Sequence, residues 1–148
     1  MKIIINTDER YKEIEIIVNC NRMSDDIDKL LVAIRLLDMK LTGRKDGRQH
    51  ILEAADVVYI ESVEKHVFLY TLNGVYESTL KLYELEAKLA DRDFIRASKN
   101  CLFNISNVQS IEPDLDRRLI LTMTGDIKLI VSRQYATAVK EKLEAYYD

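Results

Sequence analysis

The chain has 148 residues, 47% of them hydrophobic and 32% charged, and carries a net charge of −3 with a pI near 5.5. That is enough chain for one domain, or one domain with an extension, to bury about two-thirds of its unfolded surface without a metal or disulfide. The charge argues against nucleic-acid binding through a bulk basic surface, no apolar run reaches the ~20 residues of a membrane span, and the apolar part of Met1–Asp8 is too short for a signal peptide; the chain reads as cytoplasmic.

Residue types that carry chemistry are scattered. Cys20 and Cys101 are too far apart in sequence to suggest a disulfide framework, and both are expected to be small, half-buried hydrophobes. His50 and His66 stand at no spacing, from each other or from an acid, that builds a zinc site or a triad. Gly43, Gly47, Gly74 and Gly125 each stand alone, so no phosphate-cradling loop is present. No catalytic constellation, cofactor, metal site or small-molecule substrate is expected. Charge is uneven along the chain: residues 1–91 carry 13 Lys and Arg against 17 Asp and Glu, residues 92–148 carry 9 against 8. A local basic face is compatible with the second part.

Taken in order, Lys2–Asn6 is short and Ile-rich, as a strand would be. Tyr11–Asn19 alternates Ile14, Ile16 and Val18 with Glu13 and Glu15, the pattern of a second strand with one wet face. Ser24 followed by Asp25, Asp26 and Asp28 predicts a helix start, and Ile27, Leu30, Leu31, Ile34 and Leu37 give that helix one apolar stripe, read as core packing and ending before Gly43. Residues 42–50 are polar, cationic and Gly-punctuated, and read as a linker or loop.

From Ile51 the pattern is mostly strand. Val57–Ile60 forms one; Val67–Leu72 and Val75–Ser78 flank Asn73-Gly74, a strong hairpin signal. Leu82, Leu85 and Leu89 recur at helical spacing, with Glu84 and Lys88 placed for an i,i+4 pair. A strand follows at Val108–Ile111, then a loop marked by Pro113. Leu119–Thr124 and Asp126–Val131 meet at Gly125-Asp126, read as a type II′ turn. Ser132 begins the last helix, with Tyr135, Val139, Leu143 and Tyr146 on one face.

Between the second helix and Val108 lies Phe94-Ile95-Arg96-Ala97-Ser98-Lys99-Asn100-Cys101-Leu102-Phe103-Asn104, apolar at both ends and polar at its centre. Such a stretch presents its centre to solvent while its ends are held by the core. Together with Val57-Val58-Tyr59-Ile60-Glu61-Ser62 before it and Leu129-Ile130-Val131-Ser132-Arg133-Gln134-Tyr135 after it, this segment resembles the LytTR family of bacterial DNA-binding domains, over about Ile51 to Leu143. The resemblance implies an α+β, mainly antiparallel β fold with short helices. It also implies double-stranded DNA as partner, read by loops at paired repeats in a promoter.

Contacts in that family come from the loop after the first strand, the polar centre of the second segment and the Ser-Arg before the last helix. Here those are Lys65 and His66; Arg96, Ser98, Lys99 and Asn100; and Ser132 and Arg133. Many members carry His and Ser where this chain has Ser98 and Asn100, so base preference does not transfer. Residues 1–41 are too short for the receiver domain of a response regulator. The chain is similar to the stand-alone type, with a β-β-α extension (1–41), a linker (42–50) and a DNA-binding domain (51–148). Members of that type are often encoded beside a regulatory membrane protein, which the resemblance implies as a partner; the extension leaves a homodimer open. The alternative is a non-catalytic protein-interaction module on the same scaffold with little DNA affinity.

Overall fold

The computed structural model describes residues 1–90 and 93–147, apart from the side chains of residues 35, 36 and 38. In chain order the elements are α1 (Asp25–Asp38), β1 (Lys40–Lys45), β2 (Arg48–Glu53), β3 (Val57–Val63), β4 (His66–Thr71), β5 (Gly74–Ser78), α2 (Leu82–Leu89), β6 (Phe94–Ser98), β7 (Cys101–Asn104), β8 (Val108–Pro113), β9 (Leu119–Met123), β10 (Ile127–Val131) and α3 (Arg133–Tyr147). Seven strands form one sheet in the order β2-β1-β5-β4-β3-β7-β6, and β10-β9-β8 form a second; every pairing is antiparallel. The architecture is the β-rich α+β fold expected.

β7 is buried at every position, dry on both faces, which explains its Cys101-Leu102-Phe103 apolar run. On one side Val57, Ile60, Leu69 and Leu102 pack under Leu82, Leu85 and Leu89 of α2, together with Leu41. On the other, Val58, Cys101 and Phe103 meet Leu121, Met123, Leu129 and Val131 of the second sheet and Ala136, Val139 and Leu143 of α3. Burying whole side chains of this size contributes about 1.5–3 kcal/mol each, so these two layers hold the fold. One polar side chain is fully enclosed between them. Asn104 donates to the Val57 carbonyl at 3.3 Å and accepts from the Ser106 amide at 3.1 Å and the Ser106 hydroxyl at 2.7 Å, fixing the exit from β7.

Several expectations are corrected. Residues 42–50 are not a linker: Asp46 and Gly47 take φ of 53° and 75°, the paired positive values of a tight hairpin turn, and join β1 to β2. That hairpin extends the main sheet through Arg44 opposite Glu77. At Gly43, β1 comes so close to β5 that a Cβ there would lie 2.6 Å from the Tyr76 Cβ. The strands expected over 2–6 and 11–19 are not formed; residues 1–24 join no ladder among the described residues. An isolated pair of short strands is marginal in water, which accounts for their absence here. The α1 stripe is half-buried rather than core, Leu37 is 64% exposed, and Cys20 is exposed.

Two turns also differ in detail. The β4–β5 loop is Leu72-Asn73, one residue earlier than expected, because Thr71 pairs with Gly74 and its hydroxyl donates to the Gly74 carbonyl at 2.9 Å. Between β9 and β10, Met123 pairs with Ile127, leaving three loop residues; Gly125 and Asp126 both have positive φ (83° and 59°), which a type II′ turn does not. Glu84 does not pair with Lys88. Its carboxylate accepts from the Lys81 amide at 3.2 Å and closes the start of α2.

Candidate nucleic-acid interface

The three predicted contact segments come from different elements, and backbone hydrogen bonds bring them to one rim of the main sheet. Glu61 lies opposite Cys101 and Ser98 opposite Cys101, so the β3–β4 turn and the β6–β7 turn project from the same end. The Ser62 amide donates to the Asn100 carbonyl at 2.8 Å, tying the two turns directly. The Ser132 amide donates to the Ala97 carbonyl at 2.9 Å, which sets the first turn of α3 beside the bulge in β6. Ser98, Lys99, Asn100, Ser132, Arg133, Lys65 and His66 therefore belong to one composite edge.

Within that edge the side chains differ in freedom. Lys65, Lys99 and Arg133 are exposed, and none has an ion-pair partner among the described residues. Lys65 sits in a turn whose two central residues, Glu64 and Lys65, have φ of 49° and 71°. Left-handed backbone is costly for residues with a Cβ, so this turn holds its side chains out under strain. Arg133 lies at the first turn of α3, where the free amides of the helix start already favour an anion.

Arg96 and His66 are already engaged. The Arg96 guanidinium grips Glu86 with both ends, Nε at 2.8 Å from Oε2 and Nη2 at 3.1 Å from Oε1, while Nη1 donates to the Lys99 carbonyl. It thereby links α2 to the turn that carries Lys99. The hydrogen bonds from Arg96 hold the Glu86 carboxyl below the ordinary carboxylate range, and Glu86 in turn raises Arg96. His66 Nδ1 lies 2.6 Å from Glu77 Oε1 on the neighbouring strand. Asn100 donates its amide to the Ser98 hydroxyl at 3.3 Å, which shapes the β6–β7 turn from within.

Sequence reasoning missed Glu86, whose bond to Arg96 joins elements ten residues apart with no local pattern to announce it. It also missed Ser62 and Ala97, which act through backbone groups and so leave no mark in residue type. Burial pushes the Cys101 thiol up to about 12, so it stays protonated at neutral pH and is no nucleophile. Tyr59 is likewise pushed to about 12, chiefly by burial and secondarily by Tyr70, on which it stacks at 4.2 Å. No group of three or more His, Cys, Asp or Glu placed to hold a metal occurs among the described residues. No helix of the described residues is long and apolar enough to cross a membrane.

The chain is similar in sequence and fold to known proteins. Two Staphylococcus aureus proteins (strains NCTC 8325 and COL), each called an uncharacterized HTH-type transcriptional regulator, are 31% identical over 153 residues that take in 97% of this chain and 97% of theirs. Helix-turn-helix describes no arrangement among the residues described here, since strands separate α1 from α2 and α2 from α3. A solved LytTr DNA-binding domain from a Bacillus cereus protein superposes with a TM-score of 0.67 at 22% identity, covering 70% of this chain and 95% of that one. The LytTr DNA-binding domain family itself matches residues 47–144, from the β1–β2 turn into α3 and across all three rim segments. By that match, and by relatives alike along nearly its whole length, this chain belongs to the LytTr DNA-binding domain family.

Proposed function

We propose that the chain is a cytoplasmic transcriptional regulator that binds duplex DNA through the rim formed by the β3–β4 turn, the β6–β7 turn and the start of α3, without catalysis or cofactor. One observation carries this reading: three exposed cations, Lys65, Lys99 and Arg133, without ion-pair partners among the described residues, stand on three separate elements that direct backbone bonds tie together. Cations spaced along a rigid edge suit a phosphate backbone, whose contacts fix register, while neighbouring hydroxyls and amides read base edges. Lys65 and Lys99 take the phosphate role. Arg133 adds its charge to the free amides of a helix start, which together favour a phosphate. Ser98, Asn100 and Ser132 supply short donors and acceptors at the level of the bases. Arg96 and His66, already bonded within the fold, act by holding the turns rather than by touching DNA.

The test is a fluorescence-anisotropy titration of labelled DNA from upstream of the chain's own gene, beside a scrambled duplex, over a series of salt concentrations. Specific binding with a steep salt dependence supports the proposal. A second reading, an interaction module with little DNA affinity, is favoured by the rim's mixed charge, since Glu61 and Glu64 lie beside Lys65. It predicts no difference between the two duplexes and a salt dependence near zero.

A further inference from the structure

Residues 1–38 contain ten exposed large hydrophobics, including Ile3, Ile5, Ile14 (93% exposed) and Ile16 (59% exposed), and no buried residue among those described. Summed over these residues, the exposed surface is on the order of 1,000 Å², comparable to the ~800 Å² per partner of a standard interface. The segment is also organised. Asp8 forms a tight turn, its carboxylate accepting from the Arg10 amide at 2.8 Å and the Arg10 side chain at 3.0 Å, and the Tyr11 amide donates to the Asp8 carbonyl at 3.1 Å. On either side of this turn lie the two β-patterned arms, residues 2–6 and 11–19, with no ladder between them.

We infer that residues 1–38 form the interface of a homodimer, in which the arms of two chains assemble a shared sheet covered by the two α1 helices. A two-stranded hairpin alone is marginal in water, whereas three or more strands with an apolar face are independently stable; two copies supply four. Alternation gives the second arm such a face, Ile14, Ile16 and Val18, while the first is apolar on both faces through Ile3, Ile4 and Ile5. The half-buried α1 stripe of Ile27, Leu30, Leu31 and Ile34, with exposed Leu37, is the apolar surface that would lie on it. Charge fits self-association: the first arm carries Lys2, and the second carries Lys12 with Glu13 and Glu15, so arms of net +1 and −1 meet between two chains. The extension is not peculiar to this chain, because the Staphylococcus aureus relatives align over 97% of both lengths. The inference stands independently of DNA binding.

Sedimentation equilibrium on the full chain tests it. The wild type should sediment at twice its 17.2 kDa mass, and the double variant Ile14→Ser/Ile16→Ser at once that mass. Neither residue touches the folded core, so the amide spectrum of residues 40–147 should be unchanged. Spin-labelling the exposed Cys20, with Cys101 buried and unreactive, gives a second readout on otherwise wild-type protein: one defined distance between labels of two chains. A wild type that stays monomeric up to on the order of 100 μM, weaker than any useful dimer, overturns the inference. So does a variant that dimerises like the wild type, or the absence of any intermolecular distance between Cys20 labels. Capture of the extension by a different protein or by vesicles, with the free chain monomeric, would assign it to that other partner instead.

Discussion

Replacing Glu64-Lys65 by Asn-Gly should raise stability and lower DNA affinity at once, an unusual pairing that isolates what this turn does. Both residues have positive φ, which costs a side chain about 1–2 kcal/mol relative to right-handed backbone. Glycine removes that cost at its position and asparagine reduces it, while glycine's greater freedom in the unfolded chain takes back about 0.5–1 kcal/mol. The net gain is about 1 kcal/mol, or a rise of roughly 3–6 °C in Tm for a domain of this size. Both side chains are exposed, so no cavity offsets the gain. Against this, loss of the Lys65 cation should lower affinity and flatten the dependence of log K on log salt by about one. Glu64→Asn alone is the control, since it relieves strain and removes an acid, and its affinity should hold or rise. Calorimetry beside anisotropy titrations reads both effects. A double variant with lower Tm, or with an unchanged salt slope, would refute the argument.

Arg133→Ala should leave stability within about 0.5 kcal/mol of the wild type, as for other exposed sites, yet weaken DNA binding more than any other single change. A loss of about 1–3 kcal/mol confined to one base position would mark a base contact, and an equal loss on all sequences a phosphate contact. Arg96→Met should free the β6–β7 turn and weaken the fold. Because Arg96 holds the Glu86 carboxyl below its ordinary value, the stability of this pair is full at neutral pH and fades as pH falls through the lowered value. The variant's denaturation curves should therefore lose part of the wild type's acid dependence; identical curves would show the pair to be idle. Residues 39–148 should fold and bind a single repeat with the wild-type salt slope. Residues 48–148, lacking β1 and the buried Leu41, should lose about 2–5 kcal/mol or fail to fold, as chemical denaturation would show.

What the sequence made legible followed from period and local chemistry. The stripes of α2 and α3, the alternating strands and the Asn-Gly signal all depend on neighbours within a few residues. The β1–β2 hairpin carried such a signal in Asp46-Gly47, but its cationic strands, one face of which stays wet, hid it among loop-like residues. The extension failed in the opposite way, since Ile14, Ile16 and Val18 have the right period and no partner strand among the described residues. At the interface, residue type could nominate Lys99 and Arg133. It could not tell that Arg96 is committed to Glu86, or that the Ser132 amide bonds to the Ala97 carbonyl. Those bonds depend on how distant elements dock.

The most direct test is the salt dependence of specific binding by the wild type and by the triple variant Lys65→Ala/Lys99→Ala/Arg133→Ala. Each neutralised phosphate contributes about −0.9 to the slope of log K against log salt, so three to five contacts predict a wild-type slope of roughly −3 to −5. Removing three of them should bring the slope to about −2 or flatter, with thermal unfolding unchanged. A folded triple variant that keeps the wild-type slope and affinity would show that DNA is bound elsewhere on the chain, or that this rim does not bind it.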